Sequence, residues 1–208
     1  MIPLYLIGSS GHAKMAIDAA LATKKYEVVG LLDDSHERLG GTVLGVPVVG
    51  PATRETVREL GVRHALIAIG SNRARVDLVE RLGDLVTWET ILHPTAYLAR
   101  EVKIGEGTIV AAGVVVQPCA TIGKHAILNT SCSVDHDGEV GDFAHVGPGV
   151  RLAGACRVDR GVLLGVGACV HPGRIVGKWS IVGAGGVVIH DVPEKVTAIG
   201  VPARWKLI

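Results

Sequence analysis

From Leu98 to Val188 every sixth residue is aliphatic, sixteen positions in succession with no slip in register. The position two before each is nearly always small or β-branched, as at Ala120, Ala126, Cys132, Ala144, Cys156 and Ala168; Arg174 is the one clear exception. The position after is often Gly, Asn or Asp, as at Gly105, Gly123, Asn129, Asp135, Gly141 and Gly165. An in-out-in triplet makes a very short strand, and turn-forming residues after it take the chain round a corner. Repetition builds a triangular coil, filled by large aliphatics and small residues. Each coil pairs its backbone with the next, about 4.8 Å away. One repeat cannot bury its apolar face alone, whereas a stack can. The spacing therefore predicts a hexapeptide β-helix of about five coils, three hexapeptides to a coil.

The repeat occupies roughly the second half of the 208 residues, which leaves room for a separate domain before it. We place the division at 1–92 and 93–208. Aromatic residues make up only 3% of the chain, as expected of a thin interior with no room for rings. A net charge of +1 gives no basic field for nucleic acid. The four cysteines, Cys119, Cys132, Cys156 and Cys169, form no C-x-x-C pair, and two of them occupy inward small-residue slots, so they read as reduced core filler. No signal peptide precedes the first strand and no apolar run is long enough to span a bilayer, so the expected location is the cytoplasm.

Before the repeat, strand and helix alternate. Leu4–Ile7, Tyr26–Leu32, Arg63–Ile69 and Val86–Leu92 read as strands, and a loop with Gly40-Gly41 leads to a short Val46–Val49 segment. Helices are expected from Gly11 to about Thr23 with Met15, Ile17, Ala20 and Leu21 inward, from Pro51 to Leu60, and up to Leu82. This alternation predicts a small parallel sheet with helices on its faces. Ligands of such sheets sit beyond the carboxyl ends of the strands. Three polar clusters fall there: the loop Gly8-Ser9-Ser10-Gly11-His12, the pair Asp33-Asp34, and Gly70-Ser71-Asn72. The spacing of Gly8 and Gly11 is not the dinucleotide fingerprint, although a glycine loop opening a helix suits an anion.

Within the repeat the polar hot point is the run from Asn129 to Asp137. His136 follows the inward Val134 on a corner and is flanked by Asp135 and Asp137. A histidine beside a carboxylate has one ring nitrogen held and the other free to accept a proton. His145, one before the inward Val146, faces outward.

These motifs taken together, G-x-x-G-H-A-K, the Asp-Asp pair, N-T-x-x-x-V-D-H-D, H-V-x-P-G and a closing G-V-P-A-R, resemble the two-domain sugar O/N-acetyltransferases. That family is typified by the sialic acid O-acetyltransferases and the UDP-4-amino-sugar N-acetyltransferases. The resemblance covers essentially the whole chain. It implies an α/β N-terminal domain with a Rossmann-like sheet followed by a left-handed parallel β-helix, a homotrimer, and acetyl-CoA as donor, with no metal. It makes His136 the general base and Asp137 its partner, where some members carry Glu. It assigns His145, Gly154, Val166, Ala184 and Gly185 to acetyl-CoA. Gly8, Ser9, Ser10, Gly11, His12, Asp33, Asp34, Gly70 and Asn129 fall to the nucleotide-linked sugar. The expected reaction is N-acetylation of a UDP- or GDP-linked amino sugar for surface glycan synthesis. Alternatives are a sugar O-acetyltransferase and, more remotely, a trimeric β-helix metal hydratase using His136, His145 and His171.

Overall fold

A computed structural model gives the architecture and describes residues 1–205. The last three residues of the expected second domain, 206–208, lie outside the described residues. The chain divides into two compact units, Met1–Pro94 and a second beginning at Thr95.

The first unit is a sheet of β1 (Ile2–Ile7), β2 (Tyr26–Leu32), β3 (Thr42–Val43), β4 (Val46–Gly50), β5 (His64–Ile67) and β6 (Thr87–Trp88), in the spatial order β3-β4-β2-β1-β5-β6. Every pairing is parallel except the β3–β4 hairpin. Three helices connect the strands: α1 (Gly11–Ala22), α2 (Arg54–Glu59) and α3 (Asn72–Leu82). The apolar run Ile7, Leu32, Ala65 and Ile67 packs against Val57, Leu78 and Leu82 in one buried cluster.

Three local expectations need correcting. The face that α1 buries is Ala13, Ala16, Ile17, Ala19 and Ala20, while Leu21 is half exposed. Small side chains let the helix sit close to the sheet, and that outweighs the larger hydrophobe. Pro51 precedes α2 instead of opening it, because the Thr53 side chain caps the helix by accepting from the Thr56 N–H at 3.2 Å. The expected last strand is broken into Thr87–Trp88 and Ile91–Leu92. Glu89, in the gap, accepts from Tyr26 Oη at 2.6 Å and lies 2.8 Å from His64 Nδ1.

The second unit is a left-handed parallel β-helix of two-residue strands. Residues eighteen apart pair in register, as in Ile127↔His145 and His145↔Leu163. The first face holds Ile109–Val110, Ile127–Leu128, His145–Val146, Leu163–Leu164 and Ile181–Val182. The second holds Val115–Val116, Ser133–Val134, Arg151–Leu152, Cys169–Val170 and Val187–Val188. The third holds Thr121–Ile122, Glu139–Val140, Arg157–Val158 and Ile175–Val176. From Val110 to Val188 all fourteen periodic aliphatics are at most 2% exposed, so the inward phase read from the sequence is the real one. Leu98 and Ile104, in the first coil, are half-buried.

The turns lie elsewhere than the residue after each aliphatic. Positive φ occurs three residues after it, at every sixth residue from Glu101 to Gly185. Only seven of these fifteen corner positions are glycine. The glycines directly after the aliphatics serve close approach between coils: a Cβ on Gly105, Gly141 or Gly165 would lie 2.6 Å from backbone of the coil above.

Rings also find a place that the sequence reading had not given them. His125 and Phe143, one coil apart on the corner between the third and first faces, stack at 5.1 Å and 16°, and the Arg160 guanidinium lies 4.6 Å from the Phe143 centroid.

Because this interior is one aliphatic layer thick, Val146→Asp or Leu164→Asp strands a carboxylate with no polar partner, at a cost of several kcal/mol. A drop in Tm of more than about 10 °C, or loss of the cooperative transition, is expected in calorimetry. An unchanged melt would show the side chains to be outward.

Candidate active site

The candidate catalytic residues of the second unit lie at the corner between the second and third faces. There the chain runs Asp135-His136-Asp137. Asp137 adopts φ +56°, a conformation that Asp tolerates better than most residues, and its N–H donates to Pro118 O in the coil below at 3.1 Å. Held this way, its Oδ2 lies 2.9 Å from His136 Nδ1. Asp135 Oδ1 accepts from the backbone N–H of His136 at 2.9 Å, so the two carboxylates have separate tasks. Asp137 orients the ring, and Asp135 fixes the backbone beneath it.

With Nδ1 engaged, Nε2 is the open nitrogen. It points at Gly154 in the next coil: a Cβ there would lie 2.5 Å from it. The step above the dyad is Ala153-Gly154-Ala155, three small residues that leave space over the ring. The Gly154 N–H donates no hydrogen bond to the described residues. The hydrogen bond that His136 donates to Asp137 raises the His136 pKa above its ordinary value, helped by the nearby Asp135 charge and only partly opposed by desolvation. An open groove of about 360 Å3 begins beside this corner and runs up the second face past Ser133, Arg151, Cys169 and His171.

The other residues assigned to acetyl-CoA sit elsewhere on the same chain. Val166, Ala184 and Gly185 stack on the corner between the first and second faces, where the Gly185 N–H donates to Val166 O at 2.8 Å. Asn129 lies on that corner too, with Nδ2 3.3 Å from His145 Nε2 on the first face. One chain therefore separates His136, Asp137 and Gly154 from His145, Asn129, Val166, Ala184 and Gly185 by the width of its second face. His136, His145 and His171 do not converge, and no cluster of metal-ligating side chains occurs among the described residues. Burial pushes the Cys132 thiol up to about 12, consistent with inert filler.

In the first unit a cavity of about 160 Å3 opens beyond the carboxyl ends of β1 and β2. Gly8, Asp33 and Asp34 line it, together with Ile7, Leu32, Ile69, Ala74, Leu78, Asp77 and Arg81. Asp77 and Arg81 carry no motif and were not singled out in the sequence; their spacing of four on α3 is the only signal that could have found them.

Asp33 is first of all a brace. Its Oδ2 accepts from Ser9 N–H at 2.7 Å and from Ser9 Oγ at 2.6 Å, and its Oδ1 accepts from Ser35 N–H at 2.9 Å. Burial alone would raise its pKa; these hydrogen bonds and the Arg38 charge outweigh it and hold the carboxyl below the usual range. Asp34 accepts from Ala52 N–H at 2.9 Å and pairs with Arg81 at 2.8 Å.

Gly8, at φ +107°, is needed for packing, since a Cβ would lie 2.5 Å from Ile69 Cγ1. Gly11 has open space where its Cβ would be. Ser10 and Gly11, both exposed, start α1 beside the half-buried His12. In the third cluster the Gly70 carbonyl accepts from buried Arg75 at 3.0 Å and Ser71 caps α3, so both have structural employment.

Comparison with known proteins adds to this geometry. Residues 3–82 match the model of the PglD N-terminal domain. The solved structure of PerB from Caulobacter crescentus, in complex with CoA and GDP-perosamine, is 40% identical, with a TM-score of 0.91 over 99% of this chain and 97% of that one. The acetyltransferase domain of PglB from Neisseria gonorrhoeae, in complex with acetyl coenzyme A, is 33% identical, with a TM-score of 0.91 over 98% of each chain. Serine acetyltransferase of Escherichia coli K12 is 33% identical over 119 residues, or 57% of this chain, and the match spans only 38% of that enzyme's length.

Two measurements check the site. In an NMR pH titration, His136 should titrate above the reference value of about 6.5, and Asp137→Asn should bring its midpoint down towards that value. An unchanged midpoint would mean that Asp137 does not govern the ring. Gly154→Ala should displace the imidazole, seen as a shifted His136 ring resonance. The fold, the dyad and the full-length likeness to a relative 40% identical agree, and the chain belongs to the PglD-like hexapeptide acyltransferases.

Proposed function

We propose that this protein is an acetyl-CoA-dependent N-acetyltransferase acting on the amino group of a nucleotide-linked amino sugar, of the UDP- or GDP-4-amino-4,6-dideoxy class. The observation that carries the reading is His136, with Nδ1 held by Asp137 and Nε2 open beneath Gly154. Support also comes from PerB, whose structure contains CoA and GDP-perosamine, and from the PglB domain with acetyl coenzyme A.

In this mechanism Nε2 removes a proton from the sugar amine as its lone pair attacks the thioester carbonyl. Such a base contributes about 10²–10⁴-fold. The Gly154 N–H donates to the developing oxyanion. Collapse expels the CoA thiolate, which recovers the proton from the imidazolium. No acyl-enzyme is required. Because His136 must be neutral to act, the rate rises with pH through its raised pKa. The rising limb moves to lower pH in Asp137→Asn.

The homotrimer belongs to the same proposal. One thioester cannot touch two corners of one coil, so a neighbouring chain supplies His145, Val166, Ala184 and Gly185 opposite this chain's His136. The half-buried outward side chains of Val115 and Leu163 suit such a packing. A cytoplasmic location fits acetyl-CoA as donor and four cysteines without disulfides. No described helix is long and apolar enough to cross a membrane.

His136→Ala should lower kcat by two to four orders of magnitude in a thiol-release assay with acetyl-CoA and GDP- or UDP-linked 4-amino sugars, while ligand binding persists. Near-normal kcat would remove the base from the mechanism. Sedimentation at micromolar concentration should give a trimer; a stable monomer would exclude the shared acetyl-CoA site.

A further inference from the structure

We propose that Arg151 acts across the subunit seam, pairing with Asp135 of the partner subunit and thereby steadying the turn beneath His136 of the partner subunit. This rests on the shared acetyl-CoA site proposed above and names the side chains that hold its two halves together.

The residues assigned to one thioester lie on two corners of a coil. His136 is on the corner after the second face, and Asn129, Val166 and Gly185 are on the corner before it. A ring of three chains that joins one corner to the other must turn the face between them, the second face, toward the three-fold axis. The outward side chains Val115, Ser133, Cys169 and Val187 of that face are uncharged and half-buried, which suits a surface covered by copies of itself. Arg151, on the same face, is exposed and charged.

Within its own chain Arg151 has no carboxylate. Its Nη1 donates to Ser131 O, on the corner between the first and second faces, and no ion pair joins it among the described residues. The side chain thus leans down one coil, away from Asp135 of its own chain at the opposite end of the second face. Ser131 and Asp135 belong to one coil, four residues apart. They differ in height by only about 1 Å when a coil of eighteen residues rises about 4.8 Å. A three-fold axis parallel to the β-helix preserves heights, and it sets the corner carrying Ser131 against the corner carrying the partner's Asp135. The guanidinium therefore meets a carboxylate at its own level.

Of the two carboxylates on that corner, Asp137 is engaged by His136 Nδ1. Asp135 uses Oδ1 for the His136 N–H, and Oδ2 has no partner among the described residues. Arginine suits the remaining task, because its planar fork can keep Ser131 O on one nitrogen and offer others to a carboxylate. Covering an unpaired guanidinium would oppose assembly, whereas a paired one permits it and fixes the register of the two chains.

The first readout is sedimentation of the full-length protein at micromolar concentration. Arg151→Glu should convert trimer to monomer with an unchanged circular dichroism spectrum, since the residue is exposed in the single chain. Thiol release from acetyl-CoA should be lost with the trimer. Asp135→Arg alone should do the same. Combining Arg151→Glu with Asp135→Arg restores opposite charges across the seam and should recover the trimer. It should not recover the rate, because the acceptor of the His136 N–H is gone.

The second readout is the pH–rate profile of Arg151→Ala at concentrations where sedimentation shows it assembled. Within one chain Arg151 is not among the groups that shift the His136 pKa, whereas Asp135 and Asp137 both raise it. Only a guanidinium brought by a neighbour can offset them. Its removal should move the rising limb to higher pH by roughly 0.3–0.5 unit, the effect of one charge about 8 Å away in water. A trimer that survives Arg151→Glu, a double variant that stays monomeric, or a limb unmoved in Arg151→Ala would each overturn the pairing while leaving the acetyltransferase reading in place. A wild-type protein that is itself monomeric and active would instead overturn the shared acetyl-CoA site.

Discussion

The second unit depends on a backbone hydrogen-bond ladder that does not stop at the ends of the strands. At every corner from Cys119 to Gly185 the residue with positive φ donates its N–H to the carbonyl nineteen residues earlier: Cys119 to Arg100, Asp137 to Pro118, Ala155 to His136, Gly173 to Gly154. Strands of two residues are too short to hold a sheet by themselves, so the corners carry part of the coil-to-coil pairing. This also explains why seven non-glycine residues, from Cys119 to Trp179, can hold left-handed backbone there. Each costs on the order of 1 kcal/mol in isolation, and the ladder offsets it by satisfying an N–H that would otherwise be left without a partner in a stacked corner.

The His136–Asp137 pair inherits its precision from that ladder. Asp137 is both a rung and the acceptor for His136, and the carbonyl of His136 accepts the next rung from Ala155. The ring is thus tied from below and above by backbone before any side-chain packing is considered. Both side chains are more than 60% exposed, so the ion pair itself adds little to stability. Its consequence is for proton affinity and for the direction in which Nε2 faces. The absence of a Cβ at Gly154 completes the arrangement, because the coil repeat sets that residue directly over the nitrogen.

The first unit uses its carboxylates differently. Asp33 ties the end of β2 to the loop after β1 through Ser9, and Arg38 Nη1 donates to Ser9 O from the other side at 2.8 Å. A loop that reads in sequence as ligand-binding is thereby given a fixed shape by its own neighbours. Asp34 is likewise committed to Ala52 and Arg81. What remains open is Asp77 on α3, a residue embedded in no motif.

The sequence by itself determined the β-helix and its inside/outside phase, because a period of six maintained over sixteen positions has one packing solution, and Val110 to Val188 are all buried as it requires. It also determined the strand-helix alternation of the first unit and the chemistry of Asp135-His136-Asp137, since neighbours in sequence are neighbours on a corner. Tertiary structure decided whatever depends on residues eighteen or more apart. The placement of Gly154 over His136, the separation of His145 and Val166 from that corner, the role of Gly105-type residues in coil contact and the stacking of His125 on Phe143 all arise between coils. Asp77 entered the cavity, and Asp33 turned out to be a brace, for the same physical reason: sequence fixes which groups a residue carries, but its partners are fixed by which strands and helices end side by side.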